Sequence, residues 1–288
     1  MNIEKPIIIF SIGRSGSTIF FDILSKYNRI YYLSPLNEIF PTMNFNKYVF
    51  HLRNIPFLWD FLAKYVKPFE AFKFWERYIK GFSTPHRDIN ENDITPKELN
   101  RIRNVFSNQM PSRKYKLAIK ITGWPRIGMM KSIFPDAKFI HILRDGRAVA
   151  NSMINVPWWW GWRGPQNWRF GELSDKYREE WEKHDQSYIA LAGIEWKIIL
   201  DAVEESKKYF NESNFMEIKY EDLCKGHVDI FRDVFDFCDL EWSQTFENKI
   251  SKIEMKNTNF KWEKELNETQ RNILNSVTHE YLCKYDYL

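Results

Sequence analysis

The sequence lacks the features that mark several protein classes. Its three cysteines, Cys224, Cys238 and Cys283, are an odd number set far apart, with no C-x-x-C pair. That excludes a secreted disulfide framework and points to reduced thiols in a reducing compartment. The six histidines show no HxxxH, HxH or HExxH spacing, so neither a structural nor a catalytic metal is expected. No apolar run approaches the ~20 residues that span a bilayer. The run Pro6–Ile12 stops at Gly13-Arg14 and is too short for a signal-peptide core. A cytoplasmic protein without a membrane span is therefore expected. Neither sign of charge dominates: 42 Lys+Arg against 38 Asp+Glu leave a net charge of +4. This balance suits an anionic ligand but is too small and dispersed for a nucleic-acid partner.

The remaining composition is that of a globular chain. Its 288 residues are 44% hydrophobic and 28% charged, enough to bury a sizeable core. Aromatic residues are the outlier, at 17% with 12 Trp, and five of those Trp lie between Trp158 and Trp168.

A continuous β-branched run predicts a strand at Pro6–Ile12, and further short apolar strands are read at Ile30–Leu33, Lys116–Ile121, Lys138–Leu143 and Phe215–Tyr220. Helical spacing is read over Ile19–Lys26, Phe57–Lys80, Pro96–Asn108, Arg126–Phe134, Gly146–Met153, Tyr177–Phe210 and His227–Asp239. This alternation predicts an α/β fold, a three-layer sandwich around a central, mainly parallel sheet. We read residues 1–288 as one domain with insertions at about 40–112 and 154–185.

The first strand runs into Gly13-Arg14-Ser15-Gly16-Ser17-Thr18 and then a helix. Exposed N–H groups at such a junction hold an anion, and small residues let it approach. The plain alternative is a turn capped by Ser15 or Ser17. A Walker A loop aligned on Gly16 would need Gly and Lys where Ser11 and Ser17 stand. A G-x-S-x-G elbow would need Gly at Ser17, although His279 falls late enough to serve as a triad histidine. A second motif, His141 to Met153, brings Arg144 to a strand end and Ser152 two helical turns on. Together they suit a second phosphate; alone, Arg144-Asp145 is a local ion pair.

Taken together, these segments resemble the sulfotransferases that use 3′-phosphoadenylyl sulfate (PAPS), in the form seen in tyrosylprotein and related carbohydrate enzymes. GRSGST resembles the P-loop-like 5′-phosphosulfate loop, and RDGRAVANSM the 3′-phosphate motif. Ala118-Ile119-Lys120, Tyr220-Glu221-Asp222-Leu223 and Lys261-Trp262 with Leu266 extend the likeness over most of the chain. The resemblance implies PAPS as donor, PAP as product and no metal. It assigns Gly13, Arg14, Ser15, Gly16, Ser17 and Thr18 to the phosphosulfate, Arg144 and Ser152 to the 3′-phosphate, Tyr220 to the adenine and Lys256 to a cofactor contact. Val156 stands where a third basic residue would be expected, leaving that contact unassigned.

The resemblance also implies Glu38 as the catalytic base, with Arg14 and Lys120 stabilising charge. Spacing from the loop to Glu38 is a few residues longer than in tyrosylprotein-type relatives. His141 is a rival base, but its place inside an apolar strand marks it as a core histidine. Gly and Pro interrupt Pro157–Pro165, so its tryptophans do not form an amphipathic helix. Trp158, Trp159, Trp160 and Trp162 are candidates for the wall that holds a small-molecule or carbohydrate acceptor. The competing reading is a local core pinned to region 57–80. A nucleotide or small-molecule kinase is the alternative enzyme, and the oligomeric state is left open.

Overall fold

A computed structural model describes residues 3–83, 87–168 and 170–288. Residues 1, 2, 84–86 and 169, part of the expected domain and its insertions, lie outside the described residues. Five strands, β1 (Ile7–Ser11), β2 (Ile30–Tyr32), β3 (Lys116–Thr122), β4 (Lys138–Leu143) and β5 (Phe215–Lys219), form one sheet in the order β2-β3-β1-β4-β5. Every pairing is parallel. The strand sequences explain this: IIIFS and KFIHIL are nearly continuous runs of β-branched and aromatic residues, suited to strands covered on both faces. All of β1 is buried, although successive side chains point to opposite faces. The sheet is thus the middle layer of an α/β sandwich, as expected.

Helix Ser17–Leu24 supplies Phe20, Phe21, Ile23 and Leu24 to the main core, which also includes Phe74, Trp75 and Phe235 and where Phe20 stacks on Phe231. Fully burying one such side chain contributes about 1.5–3 kcal/mol. A second cluster packs helix Tyr188–Glu205 through Leu191, Ile194 and Trp196 against Tyr281 and Leu282.

Helices Pro35–Ile39, Phe45–His51, Gln244–Ile250 and Glu268–Lys284 were not expected, and three expected helices differ in extent. Phe57–Lys80 is two helices, Pro56–Ala63 and Phe72–Tyr78. Pro68 has no N–H and disfavours helix at Lys67, so the chain leaves the helix and runs beside the end of β2. There the Phe69 N–H donates to the Leu33 carbonyl at 2.9 Å. Tyr177–Phe210 divides into Asp175–Glu182 and Tyr188–Glu205 around Asp185 and Gln186, both left-handed at φ 52° and 54°. The helix expected from His227 instead starts at Tyr220 and kinks at Gly226.

The topology places the site. From β1 the chain crosses to β2 on one side of the sheet, and from β4 it crosses to β5 on the other. The adjacent ends of β1 and β4 therefore diverge and leave a crevice, where ligands of parallel sheets bind. Among the described residues no helix is long and apolar enough to cross a membrane.

Candidate active site

The loop after β1 carries left-handed backbone at Arg14 (φ 71°) and Gly16 (φ 90°). Gly16 is the N-cap of helix Ser17–Leu24, and no side chain caps it. Ser15 and Ser17 therefore do not serve as caps. The Ser11 hydroxyl donates to Ser17 Oγ at 2.8 Å, while Ser15 Oγ is buried without a hydrogen-bond partner. An unsatisfied buried hydroxyl costs about 1–3 kcal/mol, and an anion seated on the helix N-terminus would supply its partner. A methyl group at Gly16 would overlap the Tyr220 ring, so this glycine is required both by conformation and by close approach.

Arg144, the residue after β4, is 7% exposed. It donates to the Arg14 carbonyl at 2.9 Å, to Asn259 Oδ1 at 3.2 Å, and to the Thr258 carbonyl and Oγ1, each at 3.2 Å. These acceptors are all neutral. Burial lowers its pKa from the ordinary arginine value, and its guanidinium lies 4.5 Å from the Tyr220 ring centre. Asp145 pairs with Arg147 at 2.7 Å, so Arg144-Asp145 is not a local ion pair. A buried cation held only by neutral oxygens favours an anionic ligand.

Ser152 Oγ accepts from Arg14 Nε at 2.9 Å. Arg14, Arg144 and Ser152 share a cavity of about 440 Å³ with Asn155, Val156 and Lys261. Lys261 thus brings to this cavity the extra cation that Val156 cannot provide. Glu265 also lines it, accepting from Asn151 Nδ2 at 2.6 Å. Tyr220 lies between Gly16 and Arg144 and donates its hydroxyl to the Lys256 carbonyl at 3.1 Å. Lys256 therefore meets this site through its main chain, while its side chain is exposed.

On the other side of β1, Lys120 is buried in β3. Its Nζ donates to Thr18 Oγ1 at 2.9 Å and pairs with Glu70 Oε1 at 2.8 Å. The Thr122 hydroxyl donates to Glu70 Oε2 at 2.7 Å. Glu38 Oε1 accepts from the Lys73 N–H at 2.9 Å, at the start of helix Phe72–Tyr78. The structure thus brings Arg14, Ser15, Thr18, Lys120, Arg144 and Ser152 to the crevice, where Glu70 pairs with the lysine.

His141 is 1% exposed, with Nδ1 2.9 Å from Glu217 Oε2 and its ring stacked on Phe10. It is a core histidine. His279 Nε2 contacts Cys283 Sγ at 3.6 Å, and Ser15 Oγ is unpartnered, so no Ser–His pair supports a hydrolase elbow.

The tryptophans divide. Trp159 is 3% exposed, donates Nε1 to Glu195 Oε2 at 2.7 Å and packs with Met153, Ile189 and Trp262. Its assignment to the acceptor wall is corrected: it is core, anchored on helices Gly146–Ile154 and Tyr188–Glu205 rather than on region 57–80. Trp168 is also buried. Trp158 lines a narrow cleft with Gly13, Phe72, Thr122, Gly123 and Trp124. Trp160 and Trp162 are exposed and stack on Arg163.

A parallel sheet with a tight loop after β1 and a buried arginine after β4 is an arrangement suited to an anionic ligand. The chain belongs to the sulfotransferase family, whose model matches residues 6–244. Among solved structures it is similar to sulfotransferase STF9 from Mycobacterium avium, at 16% identity over 99% of this chain and 78% of that one (TM-score 0.62). It is also similar to sulfotransferase STF1 from Mycobacterium tuberculosis H37Rv, at 12% identity over 96% and 77% (TM-score 0.51). A sulfotransferase domain from the curacin biosynthetic pathway matches at 12% identity over 96% and 99% (TM-score 0.50). At these identities the likeness shows the fold. None of the curated proteins matches this chain.

Proposed function

We propose that this sulfotransferase moves a sulfuryl group from PAPS to a hydroxyl or amine and releases PAP. One observation carries the reading. The β1 loop, with its orphaned Ser15 hydroxyl, and the Arg144–Ser152 cavity are two anion sites joined through Arg14. PAPS carries two such groups, a 5′-phosphosulfate and a 3′-phosphate. Gly13–Thr18 would hold the first; Arg144, Ser152 and Lys261 would hold the second. Arg14 and Lys120 would stabilise charge on the oxygen that leaves sulfur. By analogy with phosphoryl transfer, the protein then mainly orients groups and neutralises charge.

The acceptor would enter through the cleft of Trp158, Phe72 and Trp124, which reaches Gly13 of the loop. Flat aromatic faces there suit a sugar ring or another apolar-faced acceptor. The test is transfer of radiolabelled sulfate from PAPS to a panel of carbohydrate, phenolic, lipid and amine acceptors. Label transfer matched by PAP release is expected with at least one class. PAP binding without transfer to any of them would instead indicate a nucleotide-binding module.

A further inference from the structure

We infer that Glu70, not Glu38, takes the proton from the acceptor, an inference that rests on the sulfuryl-transfer reading above. Glu70 comes from the 40–112 insertion, yet it lies where the two halves of the site meet. Its Oε1 is 2.8 Å from Lys120 Nζ, which also reaches Thr18 of the loop at 2.9 Å. Its Oε2 accepts from Thr122, a residue lining the acceptor cleft. One carboxylate thus touches both the charge-stabilising lysine and the acceptor's wall.

The local backbone is built to present it. The extended segment beside β2 carries Glu70 to the C-terminal edge of the sheet. The next residue, Ala71, is fully buried and left-handed at φ 55°. A non-glycine residue in that conformation persists only where its surroundings impose it, and such positions cluster at active sites. Here the chain turns sharply into helix Phe72–Tyr78, which is anchored by Phe74 and Trp75 in the main core. The other acids nearby touch different groups: Glu38 Oε1 accepts from the Lys73 N–H and Glu195 Oε2 from Trp159 Nε1, while Asp22 feels the Lys120 charge and its carboxyl is raised by burial.

In the step itself, the acceptor oxygen forms a bond to sulfur as its O–H proton passes to a Glu70 carboxylate oxygen. The bond from sulfur to the 5′-phosphate oxygen breaks, and its electron pair leaves with PAP. Lys120, already paired with Glu70, offers its positive charge to the leaving oxygen.

The test needs no knowledge of the natural acceptor, because water is the smallest hydroxyl. Hydrolysis of PAPS to PAP and sulfate would be followed in the wild type, Glu70→Gln, Glu70→Ala and Glu38→Gln, alongside the thermal shift each shows with PAP. We expect Glu70→Gln to keep the PAP shift and to lose hydrolysis by ~10²–10⁴-fold, the usual worth of a positioned base. Added formate should restore part of the rate in Glu70→Ala, which a merely structural carboxylate would not allow. Hydrolysis in Glu70→Gln within threefold of wild type would overturn the inference. So would a large loss confined to Glu38→Gln, or a wild-type rate equal to the buffer blank despite PAP binding. Absence of a PAP shift in the wild type would instead overturn the underlying sulfotransfer reading.

Discussion

Single residues at the crevice are held in conformations that their side chains alone would not choose. Arg14 and Ala71 adopt left-handed backbone, and Gly16 does so directly beneath the Tyr220 ring. Gly16→Ala should therefore unfold at lower temperature, by about 1–3 kcal/mol for the overlap alone, and should lose most of its PAP-induced shift. Thermal unfolding with and without PAP checks both. Much of this constellation was legible in the sequence, because Gly13–Thr18 and Arg144–Ser152 carry their chemistry in residue type and spacing. Glu70 was not. It sits in a stretch whose apolar spacing reads as one helix, and only the break at Pro68 brings it to the sheet edge. Lys261 was visible within a motif, but only the placement of helix Lys261–Glu265 puts it on the cavity that Arg144 lines. The three cysteines are free, and burial pushes the Cys238 thiol up to about 12.

At the scale of elements, the strands were the most legible. All five occur within a residue or two of their expected bounds; the continuous apolar run of β1 permits little else in a doubly covered strand. Helices were less legible: Pro35–Ile39, Phe45–His51, Gln244–Ile250 and Glu268–Lys284 were not expected, and left-handed turns such as Asp185-Gln186 interrupt segments whose periodicity continues across them. The tryptophan-rich segment combines two jobs that its composition could not separate. Trp159→Ala removes a buried indole and a donor to Glu195, and should cost about 3–5 kcal/mol. Trp158→Ala, at a side chain 45% exposed, should change stability by no more than about 0.5 kcal/mol while raising KM for the acceptor. Thermal unfolding and acceptor titration distinguish the two. Equal destabilisation by both would mean that the segment is all core.

For the whole molecule, the parallel sheet determines where chemistry can occur. Divergent connections after β1 and β4 open one crevice, and the Gly13–Thr18 loop, Arg144, Lys120 and Glu70 converge there from segments far apart in the chain. The net charge of +4 is less informative than its placement, with Arg14, Arg144 and Lys261 around one cavity. The central claim is that this cavity and loop recognise an adenosine 3′,5′-bisphosphate. The most direct measurement compares thermal stability with PAP, ATP, ADP and AMP at equal concentrations. PAP at ~100 times its dissociation constant should stabilise the fold by about 2.7 kcal/mol, with smaller shifts for nucleotides lacking the 3′-phosphate. No shift with PAP beside a clear shift with ATP would contradict the claim.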